Sequence, residues 1–172
     1  MGVSGCGKTT VGTAVADILG IHFVDGDALH PASNVQKMAS GQPLNDEDRA
    51  PWLSDVGRTL AKAIGPTIIG CSALKRKYRD LIRSQVDGPV CFLHLHASRD
   101  VLVQRVNSRD GHFMPPALLD SQFATLEMLE ADEKGRAFDI ARPFDAVVAD
   151  IQDFILSGVR ACLDQLDSPD TV

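Results

Sequence analysis

Residues Gly2-Val-Ser-Gly-Cys-Gly-Lys8-Thr9 fit the pattern G-x-x-x-x-G-K-[ST] at every fixed position, and a helix-forming stretch follows without a break. At an ordinary glycine usage of about 7%, a chance match in a chain of this size is roughly a half-per-cent event. The spacing has a chemical reason. Gly2 and Gly7 let the backbone curl, so that the amides of Gly2, Val3, Ser4, Gly5, Cys6, Gly7, Lys8, Thr9 and Thr10 surround phosphate oxygens at a helix N-terminus. Lys8 then reaches the β- and γ-phosphates of ATP, and the Thr9 hydroxyl ligates Mg²⁺.

A phosphate loop of this kind commits the chain to an α/β P-loop NTPase fold, a parallel sheet flanked by helices. The rest of the sequence is consistent with it. Short apolar runs, Ile21–Val24, Thr67–Cys71, Val90–Leu95 and Ala137–Ile140, read as strands. They alternate with predicted helices at Lys8–Leu19, Asp46–Ile64, Lys75–Arg83, Asp100–Ser108 and Phe144–Leu166. Asn45 is placed to cap the second helix ahead of Asp46, Glu47 and Asp48. In the last helix Val147, Val148, Ile151, Ile155, Val159 and Leu163 recur at helical spacing and predict one sheet-packed face. One domain over residues 1–166 accounts for the 172-residue chain, with a frayed tail over 167–172. A phosphate loop should follow a buried central strand, yet Met1 alone precedes Gly2. The expectation is a late start, or another segment covering that sheet position; an uncovered position would expose edges on two strands.

Composition excludes several function classes. A net charge of −6 opposes binding to nucleic acid, and no apolar run approaches the roughly 18 residues of a membrane span. Cys6, Cys71, Cys91 and Cys162 show no metal or disulfide spacing, and no signal peptide is evident, which together point to free thiols in the cytoplasm.

Motor and helicase ATPases end an apolar strand in an acid that holds Mg²⁺ and orients water. Here the strand Thr67–Cys71 runs into Ser72-Ala73 instead, which favours a kinase with a small hydroxylated acceptor. The acids stand in Asp25-Gly-Asp27, at the carboxyl end of the first strand, where such sheets face their ligands. Asp25 is assigned to the metal shell, and Asp27 to binding the acceptor hydroxyl and taking its proton. The competing reading is an ordinary Asp-Gly turn.

Further blocks carry a resemblance. Asp25-Gly-Asp-Ala-Leu-His-Pro31, Asn34 to Met38, Pro43-Leu-Asn-Asp-Glu-Asp-Arg49 with Pro51-Trp-Leu53, Cys71-Ser-Ala-Leu-Lys75 with Tyr78-Arg-Asp80, Gly111-His-Phe-Met-Pro115 and Ser121-Gln-Phe-Ala-Thr-Leu-Glu127 resemble the signature blocks of gluconokinases, in order, over roughly Gly2 to Glu133. The resemblance implies a nucleoside-monophosphate-kinase-like fold with a mobile lid near 109–127, ATP:D-gluconate 6-phosphotransferase activity, Mg²⁺ dependence and commonly a homodimer. Cys6 stands where the family usually has serine, and the segment after Glu133 diverges, which touches the adenine pocket more than the phosphate chemistry.

On this footing Lys75 and Arg79 are expected to contact the substrate carboxylate or phosphate, with Arg76 and Lys77 facing solvent. His30, His112 and Gln122 are further substrate contacts. Arg109 is the lid cation that neutralises the transferred phosphoryl group, and Arg105 a nucleotide contact, as a second lid cation or stacked on adenine; the competing reading is a pair of surface cations four residues apart. His94 and His96 read as satisfied or partly exposed strand histidines, and Trp52 as core. Two rivals stay open: a kinase for another polyol acid such as shikimate, and a nucleotide-binding regulator without catalysis.

Overall fold

The structure, a computed structural model, describes residues 1–107 and 116–166, with side chains for 1–106 and 119–159. Helix α1 (Lys8–Leu19) is followed by β1 (His22–Asp25), a 3₁₀ turn over Gly26–Leu29, α2 (Ala32–Ala39), α3 (Asp46–Lys62) and β2 (Thr67–Gly70). Then come α4 (Arg76–Arg83), β3 (Phe92–His96), α5 (Arg99–Asn107), α6 (Pro116–Thr125), β4 (Gly135–Asp139) and α7 (Phe144–Leu166).

The strands are parallel, as βα alternation requires, but they form two pairs rather than one continuous sheet. β1 pairs with β2 from His22↔Thr67 to Asp25↔Gly70, and β3 pairs with β4 from Phe92↔Gly135 to His96↔Asp139. Between β2 and β3 lies a slot of about 940 Å³ with an apolar lining that includes Val15, Ile69, Leu93, Ile151 and Phe154. Only the first residues of the chain bridge it among the described residues. The Leu95 amide donates to Met1 O at 2.9 Å, and Gly2 N donates to Ser72 O at 3.2 Å. Among the described residues no other segment lies in the slot. Helix α7 packs with Val147, Val148 and Ile151, while Val159 lies at the slot's margin and is half exposed.

Two apolar clusters hold the layers together. One joins Val3, Val11 and Val15 to Leu95, Leu102 and Ile151. The other packs Trp52, Leu53 and Val56 of α3 on Tyr78 and Ile82 of α4 and on Phe92 of β3. Burying each such side chain stabilises the fold by about 1.5–3 kcal/mol. The predicted cap of α3 is present in full: Asn45 Oδ1 accepts Asp48 N–H at 2.8 Å, and Asp48 Oδ2 accepts Asn45 N–H at 2.8 Å. Helices α2 and α6 were not foreseen from the periodicity. Both are short and open on proline, Pro31 at the N-cap of α2 and Pro116 at the first position of α6. Among the described residues no helix is long and apolar enough to cross a membrane.

Candidate active site

The phosphate loop is closed by backbone geometry. Gly7 caps α1 at φ 85°, a left-handed conformation that a side chain would strain, and the first helical bond runs from Val11 N to Gly7 O at 2.8 Å. The amides of Lys8, Thr9 and Thr10 therefore have no carbonyl partner within the helix and point outwards at its positive end. Cys6 is fully buried, and its amide already turns onto Val3 O at 3.3 Å. Lys8 lies back along the loop, with Nζ donating to Gly2 O at 3.2 Å and to Val3 O at 3.3 Å.

The acid pair stands beside it. Asp25 ends β1, and its carboxylate is used on both oxygens: Oδ2 accepts the Thr9 hydroxyl at 3.2 Å, and Oδ1 accepts Asp27 N–H at 3.0 Å. Gly26 separates the two acids because the turn runs against the end of β2, where a Cβ would stand 2.5 Å from Gly70 O. Trp52 Nε1 donates to Gly26 O at 2.7 Å and pins the same peptide from the core side. Trp52 is thus core, as expected, with a polar task added. Asp27 is exposed, and its carboxylate has no hydrogen-bond partner among the described residues. A hydroxyl and a carboxylate are hard oxygen donors, and Thr9 with Asp25 fits one side of a Mg²⁺ shell completed by phosphate and water. Among the described residues no three His, Cys, Asp or Glu side chains could form a metal cage of their own.

A second cleft, of about 240 Å³, opens between α3, α4 and α6, where Asn45, Asp46, Arg49, Lys75, Tyr78 and Gln122 meet. Asp46 gathers the Lys75 ammonium at 2.9 Å, the Lys77 ammonium at 2.5 Å and the Tyr78 hydroxyl. These donors, Lys77 first, hold its carboxyl below the usual range, so it stays charged. Lys75 is accordingly half neutralised. Arg49 is not: its guanidinium lies 5.9 Å over the Tyr78 ring, with no carboxylate partner among the described residues. An unpaired, half-buried guanidinium in a polar cleft is matched to a carboxylate or phosphate. Sequence reasoning passed over Arg49. The available signal was a single cation one turn into a helix whose first turn is all acid.

Lys75 and Gln122, both expected at the substrate, line this cleft together. His30 lies near by, stacked on Trp52 at 4.0 Å with Nδ1 at 3.3 Å from Asn34 Nδ2; burial, ahead of its charged neighbours, lowers its pKa. Arg79 departs from its expected role. It is fully buried, with Nε and Nη2 at 2.7 and 2.6 Å from the Glu133 carboxylate and its remaining N–H groups on the carbonyls of Glu127 and Met128, so it cannot touch a substrate. The Arg105 guanidinium donates to Ile140 O at 2.6 Å, at the end of β4. Arg109 and His112 lie outside the described residues. Arg76 is bound at its guanidinium by Asp80, Glu130 and Asp132 rather than turned to open solvent. His94 is not a satisfied histidine: it is buried with neither ring nitrogen hydrogen-bonded among the described residues, and burial pushes its pKa down to about 4, so the ring is neutral.

Comparison with known proteins bears on this arrangement at three levels. Residues 4–136 match the shikimate kinase family. A gluconokinase of Gluconobacter oxydans is 54% identical over 136 residues, covering 77% of this chain and 76% of that protein. The crystal structure of a gluconokinase from Sinorhizobium meliloti superposes with a TM-score of 0.89 at 43% identity, covering 96% of this chain and 94% of the other. A shikimate kinase from Aquifex aeolicus superposes at 0.55 with 16% identity, covering 95% and 96% of the two chains, a likeness of fold alone.

Proposed function

The chain belongs to the gluconokinase family, within the broader shikimate kinase family of P-loop folds, and from that membership and the two adjoining clefts we propose how it phosphorylates D-gluconate with ATP. The phosphate loop binds the triphosphate, and the cleft beside α6 binds the sugar acid. The observation that carries the assignment of the second cleft is the unpaired Arg49, which with Lys75 offers a net positive end to a single carboxylate. A shikimate kinase is disfavoured because the likeness to solved shikimate kinases does not rise above the fold.

In the reaction, Arg49 and Lys75 hold the carboxylate end of the acceptor and leave its terminal hydroxyl to Asp27. Asp27 accepts the hydroxyl proton as that oxygen bonds to the γ-phosphorus, while the bond from phosphorus to the β-bridging oxygen breaks and ADP departs. Lys8 swings from the Gly2 and Val3 carbonyls to the phosphates and neutralises charge as it moves to the leaving group. Thr9 and Asp25 would hold Mg²⁺, which when bound shields the phosphate charge. In-line positioning and charge neutralisation supply most of the rate. Arg109 and His112 are assigned to a lid over 109–127, His30 to the acceptor side and Arg105 to the nucleotide side. The working form is a cytoplasmic homodimer, which light scattering of the purified protein checks.

A coupled ADP-release assay with gluconate, shikimate and other sugar acids tests the reading. Gluconate should be the preferred acceptor. Arg49→Met should raise its KM roughly 10- to 100-fold, the range expected for losing a charge-assisted hydrogen-bonded contact, with the KM for ATP little changed. An unchanged gluconate KM would remove Arg49 from the site, and absence of ADP release would favour a binding protein.

A further inference from the structure

Gln122 touches both halves of the site. Its Oε1 accepts the Ser4 amide of the phosphate loop at 2.7 Å, and Gln122 lines the sugar-acid cleft together with Ser121 and Thr125 of the same helix. The peptide it holds is the one between Val3 and Ser4. The carbonyl of that peptide, Val3 O, is where Lys8 Nζ rests at 3.3 Å and where the Cys6 amide closes the loop at 3.3 Å. One hydrogen bond from α6 thus fixes the plane of the peptide that both shapes the loop and parks its lysine. An acceptor on the N–H side of a peptide also polarises the carbonyl on the other side, so the two contacts reinforce each other.

Helix α6 is anchored at both ends of its described part. Leu119 is buried in the core, and just past the helix the Glu127 amide donates to Leu74 O at 2.8 Å. Between these anchors Phe123 packs on the core and Thr125 Oγ1 donates to Ser121 O at 2.7 Å, while the exposed Ser121 and the half-buried Gln122 and Thr125 line the cleft. A sugar acid seated against that face would hold α6 in place, and through Gln122 would hold the Val3–Ser4 peptide in its loop-forming orientation. The ordering cost of the loop is then met by the first ligand and spared the second.

We propose that Gln122 is a positioning residue that couples the two clefts, so that gluconate bound beside α6 raises the affinity of the phosphate loop for the triphosphate. This rests on the assignment of the second cleft to gluconate made above. The coupling is reciprocal, and ATP must raise the affinity for gluconate by the same factor.

The test is calorimetric titration of a non-hydrolysable ATP analogue with Mg²⁺, with and without saturating gluconate, on the parent and on Gln122→Met, which keeps length and removes the acceptor oxygen. The quantity read is the ratio of the two dissociation constants, which a change in either affinity alone leaves untouched. The parent should show a ratio of about 5 or more, within the usual range of such couplings, and Gln122→Met a ratio close to 1. A variant that keeps the parent's ratio overturns the coupling role and leaves the gluconate assignment standing. A parent ratio of 1, with gluconate bound, does the same. Loss of all gluconate binding in the variant would make Gln122 an ordinary substrate contact and likewise overturn the proposal. Failure of the parent to bind gluconate would instead refute the assignment of the cleft.

Discussion

Replacing Glu133 by glutamine isolates the buried ion pair that Arg79 makes instead of a substrate contact. The Glu133 carboxylate accepts from Arg79 Nε and Nη2, from Arg83, and from the Glu130 amide at 3.1 Å. These donors, Arg79 first, hold its pKa down at about 2 from an ordinary 4.5. A folded-state pKa below the unfolded one gives stability that is fully present above the unfolded value and is lost as pH falls through the folded one. That difference is worth about 3 kcal/mol near pH 6, falls to less than half of this at pH 3 and is nearly gone at pH 2. Glu133→Gln has no such dependence and leaves the Arg79 charge buried without its counter-ion, a loss of the same order. The parent should therefore exceed the variant by about 3 kcal/mol in urea unfolding at pH 6, and the two should converge towards pH 2. Asp46, Asp48, Asp80, Asp120 and Asp132 also have lowered pKa values, but they are present in both proteins and cancel in the difference. A parent-to-variant difference that stays constant from pH 6 to pH 3 would refute the ion-pair account.

Lys8→Met should nearly abolish turnover while leaving urea stability close to the parent, since among the described residues the ammonium bonds to two loop carbonyls alone; activity within a fewfold of the parent would sink the phosphate-loop assignment. Asp27→Asn should lower kcat for gluconate by roughly 10²- to 10⁴-fold with ATP still bound, and Asp25→Asn should instead raise the Mg²⁺ concentration needed for half-maximal rate. The opposite pattern would exchange the two roles.

Local chemistry made half of the site legible before any coordinates. The phosphate loop, the Asp25-Gly-Asp27 turn and the Asn45 cap are each defined within about ten residues; Asp25 accepts the Thr9 hydroxyl and the Asp27 amide, and Asn45 caps α3. The strands were found to within a residue or two because they are short apolar runs bounded by turns. The pairing of strands was not legible, since β1 with β2 and β3 with β4 join segments remote in sequence. Helix α2 escaped because it is only eight residues long, half of them polar, and it presents Val35 and Met38 outward, giving no apolar stripe towards the core.

The basic run at Lys75, Arg76, Lys77, Arg79 and Arg83 shows where sequence reasoning stops and why. Its place after a strand end suggests Lys75 and Arg79 turned to the ligand with Arg76 and Lys77 facing solvent, yet helical phase gives the first two different fates. Ala73, at φ 42°, turns the chain after β2 so that Leu74 is buried and Lys75 lines the cleft. Within α4 the buried stripe is Tyr78, Arg79 and Ile82, one face of a 3.6-residue period, which leaves Arg76 and Lys77 on the other side. Arg79 occupies a position where that period calls for an apolar residue, and this alone argued for a buried partner rather than a ligand. The partner could not be read from the chain, because Glu133 lies 54 residues away. Arg49 fails to stand out for the converse reason. Three acids precede it in the first turn of α3, and each offers a plausible partner on paper. In the structure Asp48 pairs with Lys37 and Asp46 with Lys75 and Lys77, so the guanidinium is left without a carboxylate. The charge available to a substrate is decided by which neighbours are already taken, and that is a property of the packing of α3 on α4.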